Sequence, residues 1–326
     1  MTRRTLLGAA LGAVACDRRP RLNVYNWSSY IAPETVPNFE RESGVRVRYS
    51  VYESNEEMLA KVITGNSGWD IVFPTHSRIG PMVANGLLKP LEHRRLPNLK
   101  YLSAEFQAPV WDKELRWSVP YMWNATGIAY RKSLGIAKWA DLWRGDLNRR
   151  MTMLDDPEDV IGTCLLKLGM PFNSGDPKQL LAAKTEAVRQ KAMLRAYINA
   201  EVKDQLVAGD VLAAQLWSTT ASQAMSGSGE IGFVYPEEGF PLYADNAVIL
   251  GRSELAHEFL NYLLRPEVAA ANAKAAETAT CNQVADRSNE VLYPRPDVMA
   301  RGTWPVALPR DAQRLRDRLW TEIKSA

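Results

Sequence analysis

Three carboxylates lie close together where a helix is predicted to begin. Asp155, Asp156 and Asp159 belong to the segment LDDPEDV, which follows the predicted strand 151–154 and starts a helix ending at Leu168. Residues three apart lie on one face of a helix, so Asp156 and Asp159 can face the same cleft. Such a pair could bind a cation or serve as the acid and base of a glycosidase. The simpler alternative is that all three only cap the helix and complement its dipole.

Two aromatic residues occupy the loop after the first predicted strand. Residues 22–26 form that strand, Trp27 and Tyr30 follow it, and a helix ending at Gly44 leads to a second strand at 45–49. This order is typical of open α/β sheets, which bind ligands at the carboxyl ends of their strands. Both aromatics are therefore candidate ligand contacts, with burial in the core as the alternative.

Three further candidates also lie at the ends of predicted strands. Thr75 follows the buried strand 69–74, Trp217 ends another strand, and Asp245 comes just before the strand 247–250. Taken alone, Trp217 would be assigned to the core and Asp245 to a turn. Their shared position at strand ends makes them candidates for one site.

Several blocks of the sequence occur in an order that is found in a known family. They read YNWSSYIAP, YESNEEMLAK, WDIVFPT, SVPYMWNATGIAY, LDDPEDV, YPEEG and FLNYLLRPEVA, and the matching region extends from about residue 22 to residue 305. These blocks resemble the polyamine-binding subgroup of bacterial periplasmic solute-binding proteins, which includes spermidine- and putrescine-binding proteins. No internal repeat accompanies them.

The resemblance implies an α/β protein with the two-lobed periplasmic-binding-protein fold of type II. Each lobe would be a central mixed sheet flanked by helices, with the ligand cleft between the lobes and closure by a hinge. The implied division gives residues 22–124 and 246–290 to the first lobe, and residues 125–245 and 291–326 to the second.

The implied function is that of the substrate-binding component of an ABC importer, not of an enzyme. Such a protein binds a polyamine (putrescine or spermidine), works as a monomer without a cofactor, and delivers its ligand to permease and ATPase subunits at the inner membrane. Polyamine binding needs carboxylates for the ammonium groups and aromatic faces for the methylene groups. The residues that match the family's ligand positions are Trp27, Tyr30, Thr75, Asp156, Asp159, Trp217, Tyr243 and Asp245.

Four positions depart from the family pattern. Ser29 replaces a frequent carboxylate, Ser77 an aromatic residue, Cys281 a tyrosine, and Pro305 a glutamine that can contact the ligand. These changes remove side chains that would contact the ligand on one side of the expected site. The alternatives are a binder of another small organic cation or of an amino-acid derivative, and a sensor with the same fold. A hydrolase that uses the carboxylate pair is a remote alternative, because no glycosidase framework or catalytic triad surrounds the pair.

Residues 1–15 are predicted to be a secretory signal. Two arginines precede an apolar stretch that is too short to span a bilayer and ends in a small-residue cleavage pattern. Twin-arginine export, lipidation of Cys16 and ordinary cleavage after Ala15 all remain open, with residues 16–21 as a tether. The mature protein would be periplasmic or otherwise extracytoplasmic.

The composition is that of a folded protein without a nucleic-acid role. The chain has 326 residues, of which 46% are hydrophobic and 24% charged, and its net charge is only +3. The three histidines are scattered and no Cys/His ligand spacing occurs, so no metal site is predicted. Cys164 and Cys281 could pair after export, although nothing in the sequence shows that they meet.

Overall fold

The computed structural model describes residues 19–63, 67–251, 254–283 and 286–326. The predicted signal segment and Cys16 lie outside the described residues. None of the helices within these ranges is long and apolar enough to cross a membrane.

The described residues form eleven strands and eleven α-helices. The strands are β1 Arg21–Trp27, β2 Arg46–Tyr52, β3 Ile71–Val72, β4 Ser118–Arg131, β5 Met151–Met153, β6 Ala196–Tyr197, β7 Ala213–Trp217, β8 Ile231–Val234, β9 Phe240–Ile249, β10 Ala279–Thr280 and β11 Gly302–Thr303. The α-helices are α1 Thr35–Ser43, α2 Asn55–Val62, α3 Ile79–Ala84, α4 Pro157–Lys167, α5 Pro177–Lys191, α6 Val202–Ala208, α7 Ser218–Gly227, α8 Leu255–Leu263, α9 Pro266–Ala276, α10 Pro296–Met299 and α11 Arg310–Ser325.

The main path of hydrogen-bonded strands runs β2-β1-β3-β9-β4-β7-β5-β6. Its two ends are parallel, and β9 and β4 join them as antiparallel strands. Strand β4 changes partners along its length: residues 118–125 pair with β9, and residues 126–131 pair with β7 or β8. This gives two lobes, the first built on β1, β2 and β3 and the second on β5, β6 and β7.

Ser54 and Glu57 have the spacing of a capping box, which predicts that helix α2 begins just after Ser54, but this box is only half formed. The Ser54 hydroxyl accepts a hydrogen bond from the Glu57 amide at 3.1 Å, as expected of an N-cap. The Glu57 carboxylate, however, accepts from the amide of Glu53 at 3.1 Å instead of that of Ser54. The helix still begins where the sequence predicted, because the hydroxyl cap alone satisfies one of its free amides.

The sequence predicts Pro33 in the first turn of helix α1 and a helix from Lys178 to about Tyr197, and both of these boundaries are wrong. Pro33 does not occupy the first turn of α1, because the amide of Thr35 closes a turn onto the carbonyl of Ala32 before the helix begins. Helix α5 ends at Lys191 and does not reach Tyr197. Residues 196–197 instead join the sheet beside β5, where tertiary pairing overrides a helical pattern.

The C-terminal helix α11 packs on helices α4 and α5 of the second lobe. Its apolar residues Leu319 and Ile323 are fully buried, and Leu315 and Trp320 pack at the margin of the same core. The spacing of Leu315, Leu319 and Trp320 predicts an amphipathic helix over residues 311–324, and the structure confirms it. Its position beside α4 brings its charged residues close to the start of that helix.

Candidate functional site

Asp245 is a buried carboxylate near the middle of strand β9, with 6% of the residue exposed. The Tyr30 hydroxyl donates to its Oδ2 at 3.0 Å, and the Thr75 hydroxyl donates to its Oδ1 at 2.9 Å. The Trp27 indole lies beside the same carboxylate and donates to the Phe73 carbonyl at 2.8 Å. Four predicted site residues, Trp27, Tyr30, Thr75 and Asp245, thus meet in one place.

A second layer of polar contacts fixes these side chains, and the sequence interpretation missed it. The Asn55 amide group donates to the Thr75 hydroxyl at 3.0 Å and accepts from the Thr75 amide at 3.2 Å. The Tyr121 hydroxyl donates to the Tyr30 carbonyl at 2.8 Å, which holds the first loop against β4. The Tyr52 ring lies 4.7 Å from that of Trp27. Only the position of Asn55, directly after a helix cap, could have pointed to such a role.

Burial changes the acidity of Asp245. Loss of water raises its pKa from 3.8 to about 6, although hydrogen bonds from Thr75, Tyr30 and Trp27 lower it. A carboxylate in this position is poorly compensated when ionised, and a bound cation would favour the ionised form.

The start of helix α4 uses its acidic residues in different ways. Asp156 Oδ1 accepts hydrogen bonds from the amides of Glu158 at 2.7 Å and Asp159 at 3.0 Å, so Asp156 is the N-cap of the helix. Asp155 instead pairs with Lys324 of α11 at 2.7 Å. Asp156 therefore caps the helix through Oδ1, and its Oδ2 takes no part in the cap.

Asp159 does not cap the helix. Its side chain is fully buried and faces the hydroxyls of Thr126 and Tyr243. Its Oδ1 and both of these hydroxyl oxygens have no hydrogen-bond partner among the described residues. Burial, and secondly the charge of Asp156, raise its pKa well above 3.8. Buried Gln215 donates to the Asp159 carbonyl at 3.0 Å and thereby ties the first turn of α4 to β7.

Tyr243 connects the two carboxylates through strand β9. It precedes Asp245 by two residues on β9, so the two side chains leave the same face of the strand with Cα atoms roughly 7 Å apart. Its hydroxyl faces Asp159. Trp217 is half-buried at the end of β7, where it pairs in register with Thr126, and so lies at the Asp159 end of the site. No hydrogen bond joins Asp159 to Asp245 among the described residues.

Glu158 is a further acidic residue at this end that the sequence interpretation overlooked. Burial and the charge of Asp156 raise its pKa from 4.5 to about 7. Its partner is Arg316 of α11, whose Nη1 lies 3.5 Å from Glu158 Oε1 and whose side chain is 2% exposed. Arg78 of the first lobe also faces Glu158 and lowers its pKa. The sequence assigned Glu158 only to the helix start, since an ion pair between distant segments leaves no local pattern.

Pro305, one of the four departures, is buried in contact with a histidine. His76 accepts from the amide of Ala244 through Nδ1 at 3.3 Å, and its Nε2 lies 2.8 Å from the Pro305 carbonyl. This pattern assigns the neutral tautomer with the proton on Nε2, and burial lowers the pKa of His76 to about 4. The rings of Trp111 and Trp304 lie 4.8 and 5.3 Å away from His76. Pro305 therefore belongs to an aromatic cluster formed by His76, Trp111 and Trp304.

The other three departures contribute no charge to the site. Ser29 is exposed and adopts a left-handed backbone with φ of 55°. Cys281 is fully buried, and burial raises the pKa of its thiol. Ser77 is half-buried in the 3-10 helix His76–Arg78. Cys164 and Cys281 are both free thiols, and no cluster of three or more metal-binding side chains occurs among the described residues.

A two-lobed fold with buried carboxylates between its halves defines a solute-binding protein. A family model described as bacterial extracellular solute-binding protein matches residues 34–294, and the chain belongs to that family. Its relatives are extracellular or periplasmic solute-binding proteins of transport systems.

Two relatives and one solved structure show the extent of the similarity. The chain is 33% identical to the putrescine-binding periplasmic protein PotF of Escherichia coli K12, over 98% of this chain and 95% of that protein. It is 29% identical to the spermidine/putrescine-binding periplasmic protein of the same organism, over 91% and 90%. The spermidine/putrescine ABC transporter substrate-binding protein PotD of Streptococcus pneumoniae superposes with a TM-score of 0.84 at 27% identity, over 94% of this chain and 99% of that one. The similarity therefore covers both lobes.

Proposed function

We propose that this chain is the substrate-binding component of an ABC importer and that it binds a polyamine, putrescine or spermidine, between its lobes. The proposed ligand residues are Trp27, Tyr30, Thr75, Asp156, Asp159, Trp217, Tyr243 and Asp245. The relatives are putrescine-binding and spermidine/putrescine-binding proteins, which supports this ligand class. The partners would be a membrane permease and its ATPase.

One observation carries the proposal: two buried carboxylates are near Tyr243, since Asp159 faces its hydroxyl and Asp245 follows it by two residues on the same face of β9. Both have raised pKa values because burial disfavours their charge. An ammonium group at each would restore a charge-assisted hydrogen bond, and the ring would cover the methylene groups between them. A flexible aliphatic diamine has this chemistry.

The same geometry gives a reason for closure on ligand binding. With the lobes together, Asp159 and Asp245 are almost fully buried, and ionised carboxylates are unfavourable in such surroundings unless they are paired. Opening would return them to water, whereas a bound polycation would compensate them in the closed form. Ligand binding would thus favour the closed form that the permease recognises.

Asp159→Asn should weaken binding of the preferred polyamine by about tenfold or more, because it removes the charged partner of one ammonium group. That change corresponds to about 1.4 kcal/mol. The measurement is isothermal titration against putrescine, spermidine, spermine, agmatine and a simple monoamine. The matched control is Asp155→Asn, on the same helix end but 40% exposed and paired with Lys324. Equal losses in both variants would contradict a specific role for Asp159.

Trp217→Ala should also weaken binding at least tenfold, because an aromatic face contributes about 0.5 to 2 kcal/mol to a nearby ammonium and also shields it from water. Trp217 is half-buried, so thermal unfolding of the variant should be followed in parallel. A normal Kd for every polyamine would remove Trp217 from the proposed site.

Export and lobe boundaries belong to the same proposal. Residues 1–15 would be removed as a signal peptide, by the twin-arginine or the general route, and Cys16 would carry a lipid if that residue is the cleavage-site cysteine. The first lobe would comprise residues 22–124 and 246–290, and the second residues 125–245 and 291–326. Mass spectrometry of the N-terminus of the exported protein tests the first point, and limited proteolysis the second.

A further inference from the structure

The C-terminal helix α11 supplies cations to the acidic start of helix α4. Lys324 Nζ lies 2.7 Å from Asp155 Oδ1, and Arg316 Nη1 lies 3.5 Å from Glu158 Oε1. The two pairs differ in their surroundings. Lys324 and Asp155 are 43% and 40% exposed, so water screens their charges. Arg316 is 2% exposed, so its charge acts on its neighbours with much less screening.

Arg316 is poorly satisfied for a buried guanidinium. Its Nε and Nη2 have no hydrogen-bond partner among the described residues, and its ion pair with Glu158 is long. A buried ion pair of this kind contributes little to the free energy of unfolding, because the cost of desolvating both charges opposes their attraction. The guanidinium brings a positive charge into this buried position.

That charge reaches the proposed ammonium site through Glu158, its ion-pair partner. Glu158 interacts electrostatically with Asp156. Burial raises the pKa of the Tyr243 hydroxyl, and the charges of Asp159, Glu158 and Asp156 also act on it and raise its pKa further. The other cation that faces this cluster is Arg78 of the first lobe, which also pairs with exposed Glu56 at 3.0 Å. Glu158 is thus a third carboxylate at the Asp159 end, and Arg316 is its permanent buried partner.

We infer that Arg316 is a specificity-determining residue: it occupies Glu158 as a built-in counter-ion and thereby favours a diamine over a triamine. The inference rests on the proposed polyamine function. If Arg316 were absent, Glu158 would be available beside Asp156 and Asp159 as a further carboxylate. It could then pair with a further ammonium group of the ligand. With Arg316 in place, a further ligand cation at this end meets a fixed positive charge.

The test compares the Kd values of putrescine and spermidine in wild-type protein and in Arg316→Met, which keeps the length of the side chain without its charge. Titrations are made at pH 8, where Glu158 is largely ionised. The spermidine affinity relative to the putrescine affinity should rise about tenfold in Arg316→Met. A merely loosened site would weaken both ligands together and leave this ratio unchanged.

Two further variants keep the test decisive if Arg316→Met folds poorly. Glu158→Gln leaves the Arg316 charge uncompensated and should lower the ratio, since a triamine is repelled more than a diamine. The double variant Glu158→Gln/Arg316→Met restores the net charge and should return the ratio to the wild-type value. Lys324→Met is the matched control on the same helix and should leave the ratio unchanged.

The possible failures are distinct. If wild-type protein binds polyamines and the ratio is the same in Arg316→Met and Glu158→Gln, the inference is wrong and the proposed function stands. A shift in Lys324→Met as large as that in Arg316→Met also overturns it, because net charge alone would then explain the effect. If the wild type binds neither putrescine nor spermidine, the proposed function fails and the inference fails with it.

Discussion

Asp245→Asn is expected to weaken polyamine binding about 100-fold while stabilising the ligand-free protein. The loss of affinity corresponds to about 2.7 kcal/mol, within the usual contribution of a hydrogen bond to a charged group. The gain in stability has the opposite sign because Asp245 is buried, its hydrogen-bond donors are neutral side chains such as Tyr30 and Thr75, and no cation pairs with it among the described residues. A purely structural role for Asp245 would lower both affinity and stability.

The stability effect depends on pH in a definite direction. Burial raises the pKa of Asp245 from 3.8 to about 6, so the folded protein binds its proton more tightly than the unfolded chain does. Its contribution to stability is complete below pH 3.8 and is lost as the pH rises through about 6, amounting to at most about 3 kcal/mol. Asparagine does not titrate, so the advantage of Asp245→Asn should be large at pH 7.5 and small at pH 4.5.

Thermal unfolding at these two pH values, together with titration of putrescine and spermidine, checks both parts. The control is Asp146→Asn, the same substitution at an exposed carboxylate that pairs with Arg144. A variant that binds normally, or that is less stable than wild type at pH 7.5, would contradict the assignment of Asp245 as the central ammonium partner.

Affinity for the polyamine should fall as the pH is lowered from 7.5 to 5. The ammonium groups stay protonated in this range, because alkyl amines titrate near pH 10. The change must therefore come from the protein, where protons compete with the ligand for the same carboxylates. With a pKa of about 6, Asp245 alone raises the Kd by about tenfold at pH 5, and the raised pKa of Asp159 adds to this.

Titrations at pH 7.5, 6.5, 5.5 and 5.0 at constant ionic strength measure this effect. Repetition in two buffers of different ionisation enthalpy shows whether protons are released or taken up on binding. The proposal requires release, because the ligand displaces protons from the carboxylates. The Asp245→Asn variant is the control. Between pH 7.5 and pH 5.0 its Kd should rise about tenfold less than that of the wild type. A Kd that is constant or falls towards pH 5 would mean that Asp245 and Asp159 do not bind the cation.

The two predicted effects share one physical basis. Hydrogen bonds from Tyr30, Thr75 and Trp27 hold Asp245 in place but do not offset its loss of water, so its pKa remains raised. At the other end, Asp159 is buried without a partner for Oδ1 among the described residues. Both groups are in place without a ligand, and under the proposed function a bound cation would stabilise the ionised form of each.

Much of the local structure could be predicted from the sequence. The first strand, the Trp27–Tyr30 loop, the cap at Asp156 and the amphipathic tail helix all follow from patterns within a few residues, and the structure confirms them. The blocks shared with polyamine-binding proteins supplied the fold and the family. Errors occurred where a distant segment decided the outcome, as at residues 196–197, which pair with β5.

The sequence by itself determined which residue types stand at the strand and helix ends, because capping, helical spacing and strand alternation act within one turn or one pleat. Only the tertiary structure decided which of them work together. It joins Asp245 to Tyr30 and Thr75 across 215 and 170 residues, and Glu158 to Arg316 across 158. It also decided how acidic these groups are, because desolvation depends on every segment packed around a carboxylate and on no single stretch of the chain.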